Sequence, residues 1–387
     1  MKKIIAVAGA CFIAMAGSAQ GQVRIGFMAP LSGGAAIVGQ DQLDGFKLGV
    51  EQLQGKLGGQ AATVFAEDDQ TKPSLGVQII RKFIEKDKVN AMVGLGFSNV
   101  MMAAFKPIVD SGIPAISTNA ATSVVAGASC APNFFSISWQ NDGPAEAVGK
   151  YVSDAGFKRV FLLAPNYQAG KDMFAGFKRY YKGPVLDEVF TQVGQADYSA
   201  EIAQLQSEKP DAVFIFYPGA AGINFVKQFS QAGLSGKIPL FSVFSIDGTS
   251  LPSLREYANG AITGASWDPS LDTLQNKKFV AAFEAKYKRI PSEFAAAGFD
   301  AAMLLDTAIR KAGPEYADKK KLALAIKNAG SEFQSLRGAF RFNNNNMPIQ
   351  NYYMFKVEDG AGPNPTRSIG VALTDHVDAY AKLCPMR

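Results

Sequence analysis

The sequence predicts an α/β fold of two lobes, each a doubly wound parallel sheet with helices on both faces. Apolar segments of strand length alternate with amphipathic helical segments along most of the chain. The alternation runs through two successive blocks, and a helix-rich segment follows them. With 387 residues, 48% of them apolar, the chain has enough material for two or three domains with sizeable cores.

The first unit of this pattern is a strand, a loop of small residues and an amphipathic helix. The strand is predicted over Val23–Met28, and the small-residue stretch Pro30–Gly34 ends it. The helix is predicted over Asp41–Leu57, and Gly58 with Gly59 ends it. Apolar residues at steps of three and four share one face of this helix, namely Leu43, Phe46, Val50, Leu53 and Leu57.

The remaining strands and helices of the two blocks follow from the same reasoning. The other strands of the first block are predicted over Ala62–Ala66, Ala91–Gly94 and Ile113–Ser117, and its other helices over Pro73–Lys86 and Val100–Ser111. The second block has strands over Arg159–Ala164, Val185–Phe190, Ala212–Tyr217 and Leu240–Val243, and helices over Gly170–Tyr180, Tyr198–Ser207 and Gly222–Ala232. Since these strands are apolar throughout, we expect parallel sheets buried on both faces.

The last third of the chain is mostly helical. Helices are predicted over Asn276–Lys288, Ala295–Ala312 and Lys319–Ala329. A hairpin follows, with strands over Gly338–Phe342 and Asn351–Val357 and a turn over Asn343–Asn346. The late helices have no new strands to cover, so we expect them to return to the first lobe, which makes both lobes discontinuous.

The N-terminus has the parts of a secretory signal. Lys2 and Lys3 precede an apolar run over Ile4–Ala16 that is too short to span a bilayer, and small residues follow it. We predict a signal peptide over residues 1–19, cleaved after Ala19, and a mature protein in the periplasm; the alternative, a membrane anchor, lacks a stop-transfer pattern. Without the two lysines, 37 basic residues face 34 acidic ones, and a net charge of about +3 does not indicate nucleic-acid binding.

The sequence holds little catalytic equipment. His376 is its single histidine, so a triad or a Cys-His pair would depend on that residue, and no cluster has zinc spacing. Gly34–Gln40 has P-loop glycine spacing without the lysine, and Gly94–Asn99 lacks the last glycine of a dinucleotide fingerprint. The run Glu67–Asp69 fits loop capping better than a cation site. We therefore expect no enzyme activity, no catalytic residue, no metal and no cofactor.

Hydroxyl, amide and small side chains follow two neighbouring strands of the first block. The candidate ligand contacts are Phe97, Ser98 and Asn99 after one strand, and Asn119, Ala120 and Ala121 after the next. Ligands of open α/β sheets bind at the carboxyl ends of strands, and helix starts favour a carboxylate. Ser98 or Asn119 alone fits a helix cap equally well, but the two together at neighbouring strand ends favour a ligand site.

The second block offers three further candidates at its strand ends. Tyr167 follows its first strand, Tyr217 its third and Asp247 its fourth. A tyrosine at a cleft supplies an apolar face and a hydroxyl, although either tyrosine can instead be packed in the core. Asp247 can meet a ligand ammonium or cap a turn, and the sequence leaves both interpretations open.

Several segments, spread over nearly the whole mature chain, resemble the substrate-binding proteins of the leucine/isoleucine/valine-binding type, which serve ATP-driven importers. They are VRIGFMAPLSG, GQDQLDGFKLGVEQL, EDDQTKP, VGLGFSN, IPAISTNAATSVVAG, NDGPAEAVGKYV, DYSAEIAQLQSEKPDAVFIFYPG and AAAGFDAAMLL. The resemblance implies the type I periplasmic-binding-protein fold, in which two α/β lobes are joined by three chain crossings and close on a ligand.

The resemblance also assigns roles to the candidate residues. Ser98 with Asn99, and Asn119 with Ala120 and Ala121, match the first-lobe positions that take a ligand carboxylate. Tyr167 matches a second-lobe tyrosine, and Asp247 approximately matches the acidic residue that meets an amino group. Two positions depart from the family pattern: Asn-Ala-Ala stands where small-small-threonine is usual, and aspartate stands where glutamate is usual. The resemblance therefore still implies a carboxylate ligand, but it leaves open whether that ligand has an amino group. Similar relatives bind aromatic acids, and Phe97, Trp139 and Tyr167 would suit a flat ring, although Phe97 and Trp139 can also be core.

On this resemblance, the N-terminal lobe comprises residues 20–138 and about 265–337, and the C-terminal lobe 139–264 and about 338–387. The function implied is that of a periplasmic receptor of an ABC importer, which delivers a small carboxylate to the permease and acts as a monomer. The ligand would be a branched-chain or other amino acid, or an aromatic acid. The alternative is a ligand-sensing receptor for a membrane signalling partner, without transport.

Two cysteines remain after the predicted cleavage, Cys130 and Cys384. In an oxidising compartment a disulfide between them is the expected state. The alternative is two unpaired thiols. A bridge between the lobes would have to lie near the hinge, since it would otherwise prevent opening.

Overall fold

The computed structural model describes residues 21–358 and 365–386. The predicted signal peptide and its cleavage site after Ala19 lie outside the described residues. Within the described ranges, no helix combines the length and hydropathy that crossing a bilayer would require.

The strands fall into two groups along the chain. Those of the first group are β1 (Val23–Ala29), β2 (Lys56–Leu57), β3 (Gln60–Asp68), β4 (Ala91–Gly94), β5 (Ala115–Ser117) and β6 (Phe134–Ser136). Those of the second are β7 (Val160–Pro165), β8 (Val185–Thr191), β9 (Ala212–Phe216), β10 (Leu240–Val243), β11 (Ile262–Ala265), β12 (Arg341–Phe342), β13 (Pro348–Val357) and β14 (Thr366–His376).

Helices connect most of these strands. In the first half they are α1 (Ala36–Gln52), α2 (Pro73–Glu85), α3 (Ser98–Ser111), α4 (Ser123–Ala126), α5 (Asp142–Asp154) and α6 (Gln168–Tyr180). In the second half they are α7 (Ser199–Glu208), α8 (Ala220–Gln231), α9 (Leu251–Leu254), α10 (Leu274–Tyr287), α11 (Glu293–Ala312) and α12 (Lys319–Ala329).

Each group of strands forms one sheet. The first sheet has the order β2-β3-β1-β4-β5-β6, and only the short β2 runs antiparallel to its neighbour. The second has the order β12-β13-β11-β10-β9-β7-β8, with β14 paired to β13; its β7 to β11 pairs are parallel, and the pairs that involve β13 are antiparallel. The predicted fold class, two α/β lobes on mainly parallel sheets, is confirmed.

The chain passes between the two sheets three times. It leaves the first sheet after β6, returns after β11 to form α10 to α12, and enters the second sheet again at β12 and β13. Residues of α11 and α12 share one apolar core with β1. The lobe bounds given above stay a prediction, since sheet membership does not fix the residue at which one lobe ends.

Glycines let the late helix α11 lie directly against α1. A Cβ on Gly45 would lie 1.9 Å from the Ala295 carbonyl oxygen, and one on Gly298 would lie 2.1 Å from that of Gln42. Any larger side chain at either position would push the two helices apart. This contact fixes the start of α11, and with it Phe294, relative to the first sheet.

The structure corrects the sequence prediction at several elements. Helix α1 begins at Ala36 and ends at Gln52, so Leu57, which we placed on its apolar face, instead lies buried in the short strand β2. The elements β6, α4, α5, α9, β11 and β14 were not predicted from the sequence. Strands β6 and β11 have three and four residues, too few to show a periodicity.

Cys130 and Cys384 form a disulfide, as predicted, with 5.7 Å between their Cα atoms. Cys384 lies in the C-terminal segment after β14, and Cys130 in the loop between α4 and β6 of the first sheet. The bridge therefore ties the end of the chain, which leaves the second sheet, to the first lobe. The turn that precedes β13 is close by, because Asn344 Nδ2 donates to the Ala381 carbonyl at 3.1 Å.

Candidate functional site

A cavity lies between the two sheets, at the carboxyl ends of their parallel strands. The space between its atoms, with any open solvent included, is about 310 Å³. The first lobe contributes Phe97, Ser98, Asn119 and Ala120, and the second Tyr167, Ala169, Met173, Phe216, Pro218 and Phe244. Trp139 and Asn141 come from the first crossing, and Phe294 from the start of α11.

Two helices begin at the wall of this cavity, one from each side. Helix α3 follows Phe97 and α6 follows Tyr167, and neither helix has a side-chain cap. The first amide groups of a helix have no acceptor within it and carry a partial positive charge. The two helix starts therefore favour an anionic group in the cavity.

A tight turn between β4 and α3 sets the position of Ser98. Gly94 has φ of 104° and Leu95 has φ of 61°, both in the left-handed region. A Cβ on Gly94 would lie 2.2 Å from the Met28 carbonyl oxygen, so glycine is required at this strand end. The turn places the first residue of α3 at the cavity, with its side chain 3% exposed.

Ser98 is held by an amide from the first crossing. Asn141 Nδ2 donates to Ser98 Oγ at 3.2 Å, while Asn141 Oδ1 accepts from the Ala121 amide at 3.0 Å. Because Ser98 Oγ already accepts this hydrogen bond, its own hydrogen is available for donation, and the described residues offer it no acceptor. Ser98 thus presents an O–H donor to the cavity.

Aromatic rings form most of the remaining wall. The Trp139 ring lies 4.6 Å from that of Phe244 and 5.9 Å from that of Phe294, centroid to centroid. Tyr167 and Phe216 stack at 6.1 Å with an interplanar angle of 22°, and the Phe216 ring lies 6.0 Å from that of Phe244. Such rings prefer edge contacts or offset stacking with another ring, so the wall suits a flat apolar group.

A second cavity, which we call the outer cavity, adjoins the first, which we call the inner cavity. The space between the atoms of the outer cavity, with any open solvent included, is about 760 Å³, and Phe97, Tyr167 and Pro218 line both cavities. The outer wall also includes Gly34 of the first lobe and Asn224 of the second. The three shared residues therefore form the boundary between the two cavities.

The protein side chains described as lining the inner cavity carry no charge. Of the described residues that line it, none has an acidic or basic side chain. Burial raises the pKa of the Tyr167 phenol, so this group stays neutral and can donate a hydrogen bond. An anionic ligand would meet O–H and N–H donors here rather than an opposite charge.

The structure brings together some of the predicted site residues and not others. Phe97, Ser98, Asn119, Ala120 and Tyr167 line the inner cavity.

The remaining four predicted residues lie elsewhere. Asn99 lines the outer cavity, and Ala121 is fully buried with its amide bound to Asn141. Tyr217 is buried in the core on the far face of β9, where its hydroxyl lies 3.2 Å from that of Thr191. Asp247 lies beside a separate cavity, and its Oδ1 accepts from the Thr249 amide at 2.6 Å and hydroxyl at 2.7 Å.

Sequence reasoning missed Asn141, Met173, Phe216, Phe244 and Phe294 as cavity residues. Phe216 is the last residue of β9, and Phe244 directly follows β10. Their places at strand ends are the signal that could have identified them, since the other candidates were chosen by that criterion. Phe294 was outside the predicted helix by one residue.

Comparison with known proteins places this architecture among binding proteins. The family model described as periplasmic binding protein matches residues 22–362. The Leu/Ile/Val-binding protein homolog 6 of Brucella melitensis biotype 1 is 28% identical over 382 residues, which cover 93% of this chain and 95% of that protein.

Solved structures of similar proteins include two with aromatic acids. An ABC transporter solute-binding protein from R. palustris, in complex with benzoate, is 31% identical with a TM-score of 0.88, covering 93% of this chain and 99% of that one. Another, from Rhodopseudomonas palustris BisB5 in complex with 3,4-dihydroxybenzoic acid, is 26% identical with a TM-score of 0.87, covering 92% and 99%.

Proposed function

Because this chain belongs to the periplasmic binding protein family, we propose that it is the solute-binding receptor of an ABC importer and that it captures an aromatic carboxylate between its lobes. The observation that carries the proposal is the pairing, in one cavity, of an aromatic wall with hydroxyl and amide donors. The ring of the ligand would lie between the aromatic side chains, and its carboxylate would face Ser98 and the start of α3.

The chemistry of the wall supports a ring. Trp139, Phe244 and Phe294 form a group of contacting rings, which Phe216 joins at 6.0 Å from Phe244, and Tyr167 stacks on Phe216. Burial of a ring between them removes apolar surface from water, at about 25 cal/mol per Å². Aromatic pairs add about 0.5–1.5 kcal/mol beyond the buried area. The two relatives described above, with benzoate and with 3,4-dihydroxybenzoic acid, agree with this assignment.

The polar end of the cavity supports a carboxylate. Ser98 offers its hydroxyl, and the first amides of α3 and α6 add donors with partial positive charge. Charge-assisted hydrogen bonds of this kind are stronger than neutral ones, which offsets the cost of taking the anion out of water.

A zwitterionic amino acid is supported less well than a simple acid. Its ammonium group would need a carboxylate or several acceptors, because an unpaired buried charge is costly. Asp247, the residue suggested for that role, lies at a different cavity, and the residues that line the inner cavity carry no acidic side chain. We therefore propose a ligand without an α-amino group.

Capture and delivery follow from a two-lobe design. A ligand held by residues of both lobes binds the closed form more tightly than the open form and so shifts the population to the closed form. We propose that the exported, periplasmic protein, cleaved after Ala19, presents this closed form to the membrane permease. The ligand would be released chemically unchanged.

Calorimetry on the mature protein tests the ligand class. Benzoate should bind more tightly than benzamide, which lacks the charge, and more tightly than cyclohexanecarboxylate, which lacks the aromatic ring. It should also bind more tightly than the amino acids L-leucine and L-phenylalanine. At a concentration 100 times its Kd, the preferred acid should also stabilise the fold by about 2.7 kcal/mol in thermal unfolding. Tighter binding of an amino acid than of every aromatic acid tested would overturn the proposal.

A pair of variants on one helix locates the site. Ser98→Ala should weaken benzoate binding about tenfold, since it removes one hydrogen bond to a charged group. Ser111→Ala is the matched control, because Ser111 ends the same helix and its hydroxyl donates to the Ile108 carbonyl at 2.7 Å. Equal effects of the two substitutions would place the ligand elsewhere.

A further inference from the structure

A buried carboxylate of the second lobe accepts hydrogen bonds from the first. Asp172, in α6, is 2% exposed. Its Oδ1 accepts from Ser123 Oγ at 2.7 Å and from Gln168 Nε2 at 2.8 Å, and its Oδ2 accepts from Asn141 Nδ2 at 2.9 Å and from the Ser123 amide at 3.2 Å. Ser123 begins α4, which follows β5 of the first sheet, so two of the four bonds join the lobes directly.

Asn141 connects this carboxylate to the ligand cavity. Its backbone amide donates to the Ala121 carbonyl at 2.9 Å, and its Oδ1 accepts from the Ala121 amide, which fixes the residue on the first lobe. Its Nδ2 then donates to both Ser98 Oγ and Asp172 Oδ2. Both amide hydrogens and the amide oxygen are used, so the side chain has one orientation that satisfies all its partners.

We propose that Ser123, Asn141 and Asp172 form a closure latch that couples the ligand carboxylate at Ser98 to the closed position of the lobes. The inference rests on the proposed function, since it assigns the residues through which ligand capture acts. Asn141 is a positioning residue in this arrangement, because it acts on the ligand through Ser98.

The hydrogen bond from Asn141 sets the direction of the Ser98 hydroxyl. Asn141 Nδ2 can only donate, so Ser98 Oγ must accept from it. The hydroxyl hydrogen is thereby left for the cavity, which makes Ser98 a donor and therefore selective for an anion. An acceptor in place of Nδ2 would reverse this direction and turn Ser98 into an acceptor for the ligand.

The closed state is stabilised by the bonds that Asp172 accepts from the first lobe. Opening of the lobes separates Ser123 and Asn141 from Asp172 and exchanges three protein hydrogen bonds for water. In the closed form the same carboxylate orients Asn141 toward Ser98. A ligand that uses the Ser98 donor thus gains most when Asp172 is in place, and this difference in affinity between open and closed forms is what drives closure.

The first experiment measures closure and ligand release. Asp172→Asn keeps the shape of the side chain but removes the charge that strengthens all four accepted bonds, and its amide nitrogen at the Oδ1 position would face the Gln168 Nε2 donor. Ser123→Ala removes only one of these four bonds. We expect benzoate to dissociate at least tenfold faster from Asp172→Asn and about threefold faster from Ser123→Ala, with association changed less than threefold. Asp154→Asn, at the exposed end of α5, is the control and should leave both rates unchanged.

Distance measurements by fluorescence energy transfer, with one dye on each lobe, complete this experiment without ligand. The ligand-free Asp172→Asn protein should populate the open form more than the wild type does. These ligand-free distances test the latch even if the wild type binds no aromatic acid. A wild type that binds no aromatic acid would refute the proposed function and not the latch. Unchanged lobe distances together with unchanged dissociation in both variants would overturn the latch.

The second experiment reads the direction of the Ser98 hydroxyl. Asn141→Asp is combined with Asp172→Asn, because Nδ2 also donates to Asp172 Oδ2 at 2.9 Å and two facing carboxylates would repel each other. The exchange keeps the net charge of the pair and puts acceptors where Nδ2 stands, so Ser98 should donate to the new carboxylate and become an acceptor for the ligand. The affinity ratio of benzoate to benzamide should then fall at least tenfold. A merely structural role of Asn141 predicts weaker binding of both ligands at an unchanged ratio, and that result would refute its positioning role.

Discussion

Arg337 and Asp300 form a buried ion pair beside the chain crossings, with 3.0 Å between Arg337 Nη2 and Asp300 Oδ2. The side chain of Arg337 is 7% exposed and that of Asp300 is 1% exposed. Arg337 also donates to the carbonyl oxygens of Ile137 and Ser138. One guanidinium thus joins the first crossing, the third crossing and helix α11, and so supports the segment from which Trp139 and Asn141 reach the cavity.

Replacement of this arginine should strongly destabilise the protein. Arg337→Met leaves the Asp300 carboxylate buried without its partner, and burial already raises the pKa of Asp300. Removal of one member of a buried pair costs about 3–5 kcal/mol, which urea unfolding would measure. Arg341→Met is the control, since Arg341 pairs with Asp375 on the surface, where such pairs contribute about 0–1 kcal/mol. Similar losses in the two variants would show that the buried pair has no special role.

The disulfide should contribute to stability and leave no free thiol in the mature protein. Cys130 and Cys384 are 254 residues apart, and a bridge over so long a loop is expected to stabilise by about 2–5 kcal/mol. Replacement of both cysteines by serine should lower the free energy of unfolding by that amount while benzoate still binds. Thiol titration of the denatured, unreduced mature protein should give a value near zero, and two reactive thiols would contradict the bridge.

The elements that the sequence predicted well are those with long apolar patterns or strong end signals. Helix α2 was predicted over Pro73–Lys86 and is observed over Pro73–Glu85, because proline favours a first helical turn and a broad apolar face continues to the end. Strand β14 was missed for the opposite reason. It pairs only with β13 and is largely exposed, so its sequence lacks the apolar run of a central strand.

The ligand site was predicted to the level of the loop but not of the side chain. At the end of β9 the sequence analysis selected Tyr217, whereas Phe216 lines the cavity and Tyr217 enters the core on the other face. Successive residues of a strand point to opposite sides, so a shift of one residue exchanges cavity and core. Sequence alone indicates where the strand ends, but it does not show which of the two residues faces the cavity. The pairing of β9 with β7 and β10 determines that orientation.

The role of Asn141 depends on contacts that are distant in sequence. Its partners Ser98 and Asp172 lie 43 and 31 residues away. A polar residue before a helix reads as an ordinary N-cap, yet Asn141 makes no side-chain cap bond to α5. Only the relative position of the two lobes shows that it connects them.

Asp69 should make the stability of the fold depend on pH. Burial raises the pKa of Asp69 from 3.8 to about 6, and its Oδ2 has no hydrogen-bond partner within the described part of the chain. Because the folded-state pKa is the higher one, the stabilising contribution is complete below about pH 4 and is lost as the pH rises through 6.

Asp69→Asn removes this titration. The free energy of unfolding of the variant, relative to the wild type, should therefore rise by up to about 3 kcal/mol between pH 4 and pH 7.5. Urea unfolding at both pH values measures the change. Asp110→Asn, at an exposed position paired with Lys106, should show no such rise. A pH-independent difference for Asp69→Asn would mean that this carboxyl titrates as an exposed one does.

Tryptophan fluorescence should report ligand binding through one residue. The chain has two tryptophans. Trp139 lines the inner cavity and contacts Phe244, whereas Trp267 packs against Phe279 in a separate core and donates through Nε1 to Asn276 at 2.7 Å. A bound ring would replace water beside the Trp139 indole and change its emission.

Trp267→Phe should therefore keep the fluorescence change on benzoate addition, while Trp139→Phe should abolish it, although calorimetry still detects binding. A change that survives in Trp139→Phe and disappears in Trp267→Phe would move the ligand out of the inner cavity.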